Sequence, residues 1–88
     1  MRTDRYEMLA FESTHQAMAA QRQLRGRLPF AVMPTLRQVS ASCGISLRLE
    51  PGSGEALAAL AAAGTFTALP CALYRVEGDR AELERRFP

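Results

Sequence analysis

The residues best equipped for covalent chemistry lie in one stretch, Ser40-Ala41-Ser42-Cys43-Gly44, with Arg37 shortly ahead of it. A free thiol has a pKa near 8.5, so only about 3% of it is thiolate at neutral pH. Lowering the pKa to about 7 raises that share to about half, and a nearby cation or backbone amide can do so. Arg37 supplies a charge, and Ser40 and Ser42 supply hydroxyls that can donate to a thiolate. Gly44 has no side chain to block an approaching partner, and its backbone can turn to positive φ and aim an amide at an anion. Cys43 is therefore the candidate nucleophile, with Arg37, Ser40, Ser42 and Gly44 as its candidate binding set. On spacing alone, a lone cysteine that merely fills space is an equal alternative.

The other reactive types are sparse. Cys71 follows Pro70 and opens an apolar run, so it reads as packing, and nothing in the spacing supports a bridge to Cys43. His15 is the only imidazole. Its place in the first turn of a helix suits an exposed polar residue; the functional alternative sets it near Cys43 as a base or hydrogen-bond donor. Arg48, with Arg37 and Arg75, could line an anion-binding face, although ordinary surface arginines explain them as well. One histidine and two distant cysteines, without a Cys-x-x-Cys pair, make a weak zinc set, and no metal or cofactor is expected.

These residues need a scaffold, and 88 residues allow one small domain rather than two. Hydrophobic residues at 48% favour a folded core over disorder. The formal charge of +2 is too weak to point to nucleic acid. All eleven basic residues are arginine, which excludes Schiff-base chemistry and a phosphate-loop lysine. No apolar run approaches the ~20 residues of a membrane span. The start, MRTDRYEMLAF, contains an acid and no long apolar region, unlike a signal peptide. Two distant cysteines fit a cytoplasmic chain with reduced thiols better than a secreted one.

RYEMLAF, residues 5–11, reads as a covered strand, with Tyr6, Met8 and Ala10 facing one way and Leu9 and Phe11 the other. A helix then starts at ESTHQ, with Ser13 and Gln16 spaced as a capping box, Ala17, Ala20, Gln21, Leu24 and Leu28 near helical period, and Gly26 as terminator. Phe30–Met33 forms a short second strand. Ile45–Leu49 forms a third, with Ile45, Leu47 and Leu49 inward and Ser46 and Arg48 toward water. Pro51, Gly52 and Ser53 punctuate and cap a second helix, in which Glu55 complements the dipole, Leu57, Leu60 and Ala61 make a face, and Gly64 ends it. Residues 71–76 make a fourth strand.

The tail 77–88 reads as a last turn or two of helix, with Asp79 and Glu82 as a second capping box and Leu83 and Phe87 docking it, or as a frayed end. The order is strand, helix, strand, strand, helix, strand. With right-handed crossovers it predicts an α+β, ferredoxin-like βαββαβ sandwich: a four-stranded antiparallel sheet with two helices on one face. The whole chain, 1–88, is one domain in this reading, with a core of about 5–76 and an extension over 77–88.

One connection is longer than this fold needs. Hairpin loops take about two to five residues, yet PTLRQVSASCG, residues 34–44, spans eleven. Long loops on rigid scaffolds are where sites are placed, and Cys43 lies at the exit of this one.

The triplet Ser13-Thr14-His15, the pattern Pro34-x-x-Arg37, and SASCG at 40–44 followed by an alternating strand resemble the selenium/sulfur carrier protein-like family of small bacterial proteins. The resemblance runs from about Tyr6 to Tyr74. It implies that Cys43 is a carrier residue holding sulfur or selenium as a persulfide or selenosulfide. Arg37, Ser40, Ser42 and Gly44 match the motif around it, and the implied partners are a protein donor and a protein acceptor. Such a protein is a carrier more than a turnover enzyme. The sequence departs from the expected pattern at Leu36, where a second proline is expected, and at Gln38, where an acid is expected.

Two other classes bear weighing. Single-stranded RNA binding on this fold uses aromatics on the central strands, and the outward Ser46 and Arg48 provide none. A non-catalytic binding or dimerisation module would leave Cys43 incidental, and the short second strand, if its edge is unprotected, would permit a homodimer.

Overall fold

In the computed structural model, which describes residues 5–39 and 44–88, β1 (Arg5–Phe11) runs through the middle of an antiparallel sheet. It is flanked by β3 (Ile45–Leu49) and β4 (Cys71–Glu77); β2 (Phe30–Pro34) lies outside β3 and β5 (Arg80–Phe87) outside β4. Helices α1 (Thr14–Leu24) and α2 (Gly54–Ala62) make the two crossovers. The α+β class is as expected. The sheet, however, has five strands rather than four.

The fifth strand replaces the helical turn expected for the tail. Glu77 pairs with Arg80, leaving a two-residue Gly78-Asp79 turn, and Gly78 has φ +64. A glycine at positive φ in a two-residue loop matches the twist of a hairpin, which overrides the Asp79/Glu82 capping pattern. A register shift at Leu73/Tyr74 then switches faces along β5. Leu83 and Phe87, expected to dock side by side, therefore part: Leu83 pairs with Tyr74 and is exposed, whereas Phe87 pairs with Cys71 and is buried.

Alternation divides β1 as its sequence indicated. Leu9 and Phe11 join Leu47, Leu49 and Leu73 under the helices. Ala17, Ala20 and Leu24 bring α1 onto that face, and Leu57 and Phe66 do the same for α2 and the segment after it. Tyr6, Met8, Ala10 and Val76 form a separate cluster on the opposite face.

Helix boundaries follow local chemistry at three of their four ends. Ser13 is extended, and its hydroxyl accepts from the Gln16 amide at 3.2 Å while the Gln16 side chain accepts from the Glu12 amide at 3.1 Å. Gly26 and Gly64, at φ +81 and +78, follow the two C-termini. The exception is Ser53, expected to cap α2. Its backbone is already helical, and its hydroxyl donates to the Glu50 carbonyl at 2.6 Å. The cap comes from β1: the amides of Gly52 and Ser53 donate to the buried Glu7 carboxylate at 3.2 and 3.1 Å. An anion at a helix N-terminus satisfies unpaired donors and meets the positive end of the dipole.

Candidate functional site

The connection between β2 and β3 folds back over the face of the sheet that the helices leave uncovered. Thr35 extends the hairpin by one pair, its amide donating to the Gly44 carbonyl at 3.2 Å. Beyond it, Leu36 and Val39 pack against the Tyr6, Met8, Ala10 and Val76 cluster, and the Val39 amide closes a turn onto the Leu36 carbonyl at 3.0 Å. The Gln38 side-chain amide donates to the Asp79 carbonyl at 3.1 Å, which ties the loop to the β4–β5 turn. The two departures from the family pattern thus have structural uses here. Leu36 contributes an apolar anchor, and Gln38 makes a bond that a carboxylate, having no donor, cannot make.

This placement corrects the reading of Ser46. Expected to face water, it is fully buried beneath the loop, its hydroxyl 2.6 Å from that of Thr35. Alternation correctly puts Ser46 on the face away from the helices, but it cannot tell that a loop covers that face.

Of the candidate site residues, Cys43, Ser40 and Ser42 lie outside the described residues. Arg37 is exposed at the turn of the loop, and Gly44 is exposed with open space around its α-carbon. Its part is to accept from Thr35 and restart the ladder. His15 is exposed in the first turn of α1, as its simpler reading has it.

Arg48 lies over the Tyr6 ring, 4.0 Å from its centre, a cation–π geometry. Arg75 pairs in register with Glu7, on the helix side, and sits 3.9 Å from both Glu82 and Glu84. Arg48 and Arg75 therefore occupy opposite faces of the sheet, and the anion-binding surface they were to share with Arg37 does not form. Strand alternation was enough to show this once the register was known.

A recess of about 380 Å³ opens at the same end of the sheet, lined by Phe11, Val39, Pro70, Tyr74, Arg86 and Phe87 among others. Cys71 also contributes to its wall, but the residue is buried and desolvation pushes its thiol up to about 12. Its burial in the helix-side core makes it a packing residue, as the sequence indicated. Among the described residues no cluster of histidine, cysteine and carboxylate side chains could hold a metal ion. Among them, too, no helix is long and apolar enough to cross a membrane.

The residue missed from sequence was Glu7. Its signal was present: a carboxylate on the Leu9 and Phe11 side of an otherwise apolar strand, where burial without partners is costly.

Comparison with known proteins agrees with the motif. The family model described as "Putative Se/S carrier protein-like" matches residues 6–67, well over half of the chain, and the protein belongs to that family. No curated protein and no solved structure matches it.

Proposed function

We propose that this protein carries sulfur or selenium on Cys43, receiving it from one protein and passing it to another. The observation that carries this reading is the family match over residues 6–67, which takes in Cys43 and its flanking motif, while the chain's other thiol is sealed in the core. The sheet order β2-β3-β1-β4 with two helical crossovers supports a ferredoxin-like scaffold extended by β5. The loop is anchored on both sides of Cys43, by Leu36 and Val39 before it and by the Thr35–Gly44 bond after it. The setting is a reducing cytoplasm, where a thiol stays available.

The chemistry is exchange without net oxidation. The Cys43 thiolate attacks the terminal sulfur of a donor persulfide. A new sulfur–sulfur bond forms on Cys43, the donor's own bond breaks, and the donor leaves as a thiolate. An acceptor nucleophile then attacks the terminal atom, and Cys43 departs as thiolate, ready to reload. Selenium follows the same path through a selenosulfide. Arg37, with Ser40 and Ser42, is assigned to stabilise the thiolate, and Gly44 to leave room for the partner; His15 and Arg48 are kept as more distant contributors.

Mass spectrometry after incubation with a cysteine desulfurase and free cysteine tests the assignment. A gain of about 32 Da on Cys43 and none on Cys71 is expected. Cys43→Ser should abolish loading while leaving the fold intact. Because Cys71 is buried and desolvation pushes its thiol up, iodoacetamide uptake by the folded protein below about pH 9 is expected at Cys43, with Cys43→Ser as the control that shows any uptake at Cys71. A midpoint clearly under 8.5 fits the carrier; a midpoint at or above it, with no loading, returns Cys43 to an incidental role in a binding module.

A further inference from the structure

The two edges of the sheet are unlike. The outer edge, β5, reads Arg80-Ala81-Glu82-Leu83-Glu84-Arg85-Arg86-Phe87, and its charges oppose pairing with another strand. The opposite edge, β2, reads Phe30-Ala31-Val32-Met33-Pro34, without a charge. Among the described residues no strand pairs with its outer side.

The hydrogen-bonding phase of β2 follows from its ladder. Thr35 bonds to Gly44, and the same register pairs Met33 with Ser46 and Ala31 with Arg48. Bonded pairs alternate in an antiparallel ladder, so residues 31, 33 and 35 turn their backbone groups toward β3. Phe30 and Val32 then turn theirs outward, as does the carbonyl of Pro34. Proline fits that position because its missing donor would have pointed to solvent.

We propose that β2 pairs antiparallel with β2 of a second copy of this chain, about a two-fold axis through Val32. The edge is its own complement in this arrangement. The two Val32 residues exchange a pair of backbone bonds, and each Phe30 amide donates to the partner's Pro34 carbonyl. A slip of one residue, which sets Val32 against the partner's Ala31 or Met33, breaks this phase, because those residues turn their backbone groups inward.

The side chains agree with the backbone. Val32 is 53% exposed although it shares a face with the buried Leu47. Met18 on α1 is 47% exposed. Gln16 and Gln23 of α1 reach Leu69 and Thr67, on the β4 side of the helix. Met18, two residues round from Gln16, is thereby turned to the β2 side. Two of the largest exposed apolar side chains thus share the flank that a second copy would cover. The proposal is independent of the chemistry assigned to Cys43.

Light scattering coupled to size-exclusion chromatography, at tens of micromolar, measures the mass directly. The full chain is expected at twice its 9.7 kDa, and Val32→Lys at the monomer mass with an unchanged circular dichroism spectrum. Leu83→Lys, at an exposed position beside the other edge, is expected to stay dimeric. Amide exchange supplies a readout that no variant can confound: the Val32 and Phe30 amides should be protected at high concentration and lose protection on dilution, with the core amides unaffected. A monomeric full chain overturns the proposal, and so does a dimer that survives Val32→Lys or is split by Leu83→Lys.

Discussion

Helices α1 and α2 and the segment after α2 close one face of the sheet with Leu24, Leu57 and Phe66 driven fully out of water, whereas the other face is covered by two half-buried side chains, Leu36 and Val39, from a loop. Full burial of a large apolar side chain stabilises by about 1.5–3 kcal/mol, and partial burial by correspondingly less. The helix side therefore holds the fold, while the loop side holds a position. Segments with few buried contacts open without global unfolding. A stretch that must present a reactive atom to partners belongs on such a side, since its contacts can be rearranged without endangering the core.

The contrast can be broken by substitutions matched across the sheet. Phe66→Ala should cost about 3–5 kcal/mol, because the ring is wholly enclosed and leaves a cavity. That is a large part of the 5–15 kcal/mol typical of a domain. Leu36→Ala should cost only about 1 kcal/mol, with the loss confined to the loop. Urea denaturation gives both numbers, and amide exchange at Gln38 and Val39 localises the second. Equal costs at the two positions would mean that the loop is as much a part of the core as the segment after α2.

Glu7 sharpens the comparison, because it is a charge on the side that holds the fold. Its carboxylate receives two amides at the start of α2 and sits buried. Glu7→Gln keeps the shape but puts a donor where an acceptor stood, so one of the two amides loses its partner. The expected cost is about 1–2 kcal/mol, between the two apolar substitutions. A neutral result in denaturant titration would show that water serves the Gly52 and Ser53 amides equally well.

How much of this could be read from the chain depends on where the deciding interaction lies. Strand alternation in RYEMLAF and ISLRL, the Ser13–Gln16 box and the two terminating glycines act within a few residues, and each appears as expected. Cys71 was legible for the same reason, an apolar run after a proline. The errors share another cause, in that each needed a partner distant in sequence. Ser46 is buried by a loop whose path no pattern announces. Ser53 gives up its capping role to a carboxylate 46 residues earlier. The tail became β5 because the edge of β4 and a Gly78-Asp79 turn outweighed a local capping pattern. For the site, sequence supplied the residue types and the family, and the structure supplied the anchors at Leu36, Gln38 and Thr35.

Glu84 gives the smallest effect and the one with a sign to check. Loss of hydration, a hydrogen bond with Glu7 and the charge of Glu7 raise its pKa above the ordinary carboxylate value, against the opposing pull of Arg75 and Arg85. A carboxyl raised in the folded state binds its proton more tightly there than in the unfolded chain. Its contribution to stability is therefore complete at pH below the ordinary value and is lost as pH rises through the raised one. Glu84→Gln keeps a donor for Glu7 and removes the titration. The melting temperature of the parent minus that of the variant should decline across this interval and then level off, by about 2 °C in a domain of this size. The effect is small because the side chain is partly exposed and water screens the repulsion. A difference that grows more positive with pH would reverse the assignment and make the Arg75 contact, at 3.9 Å, the stronger influence on Glu84.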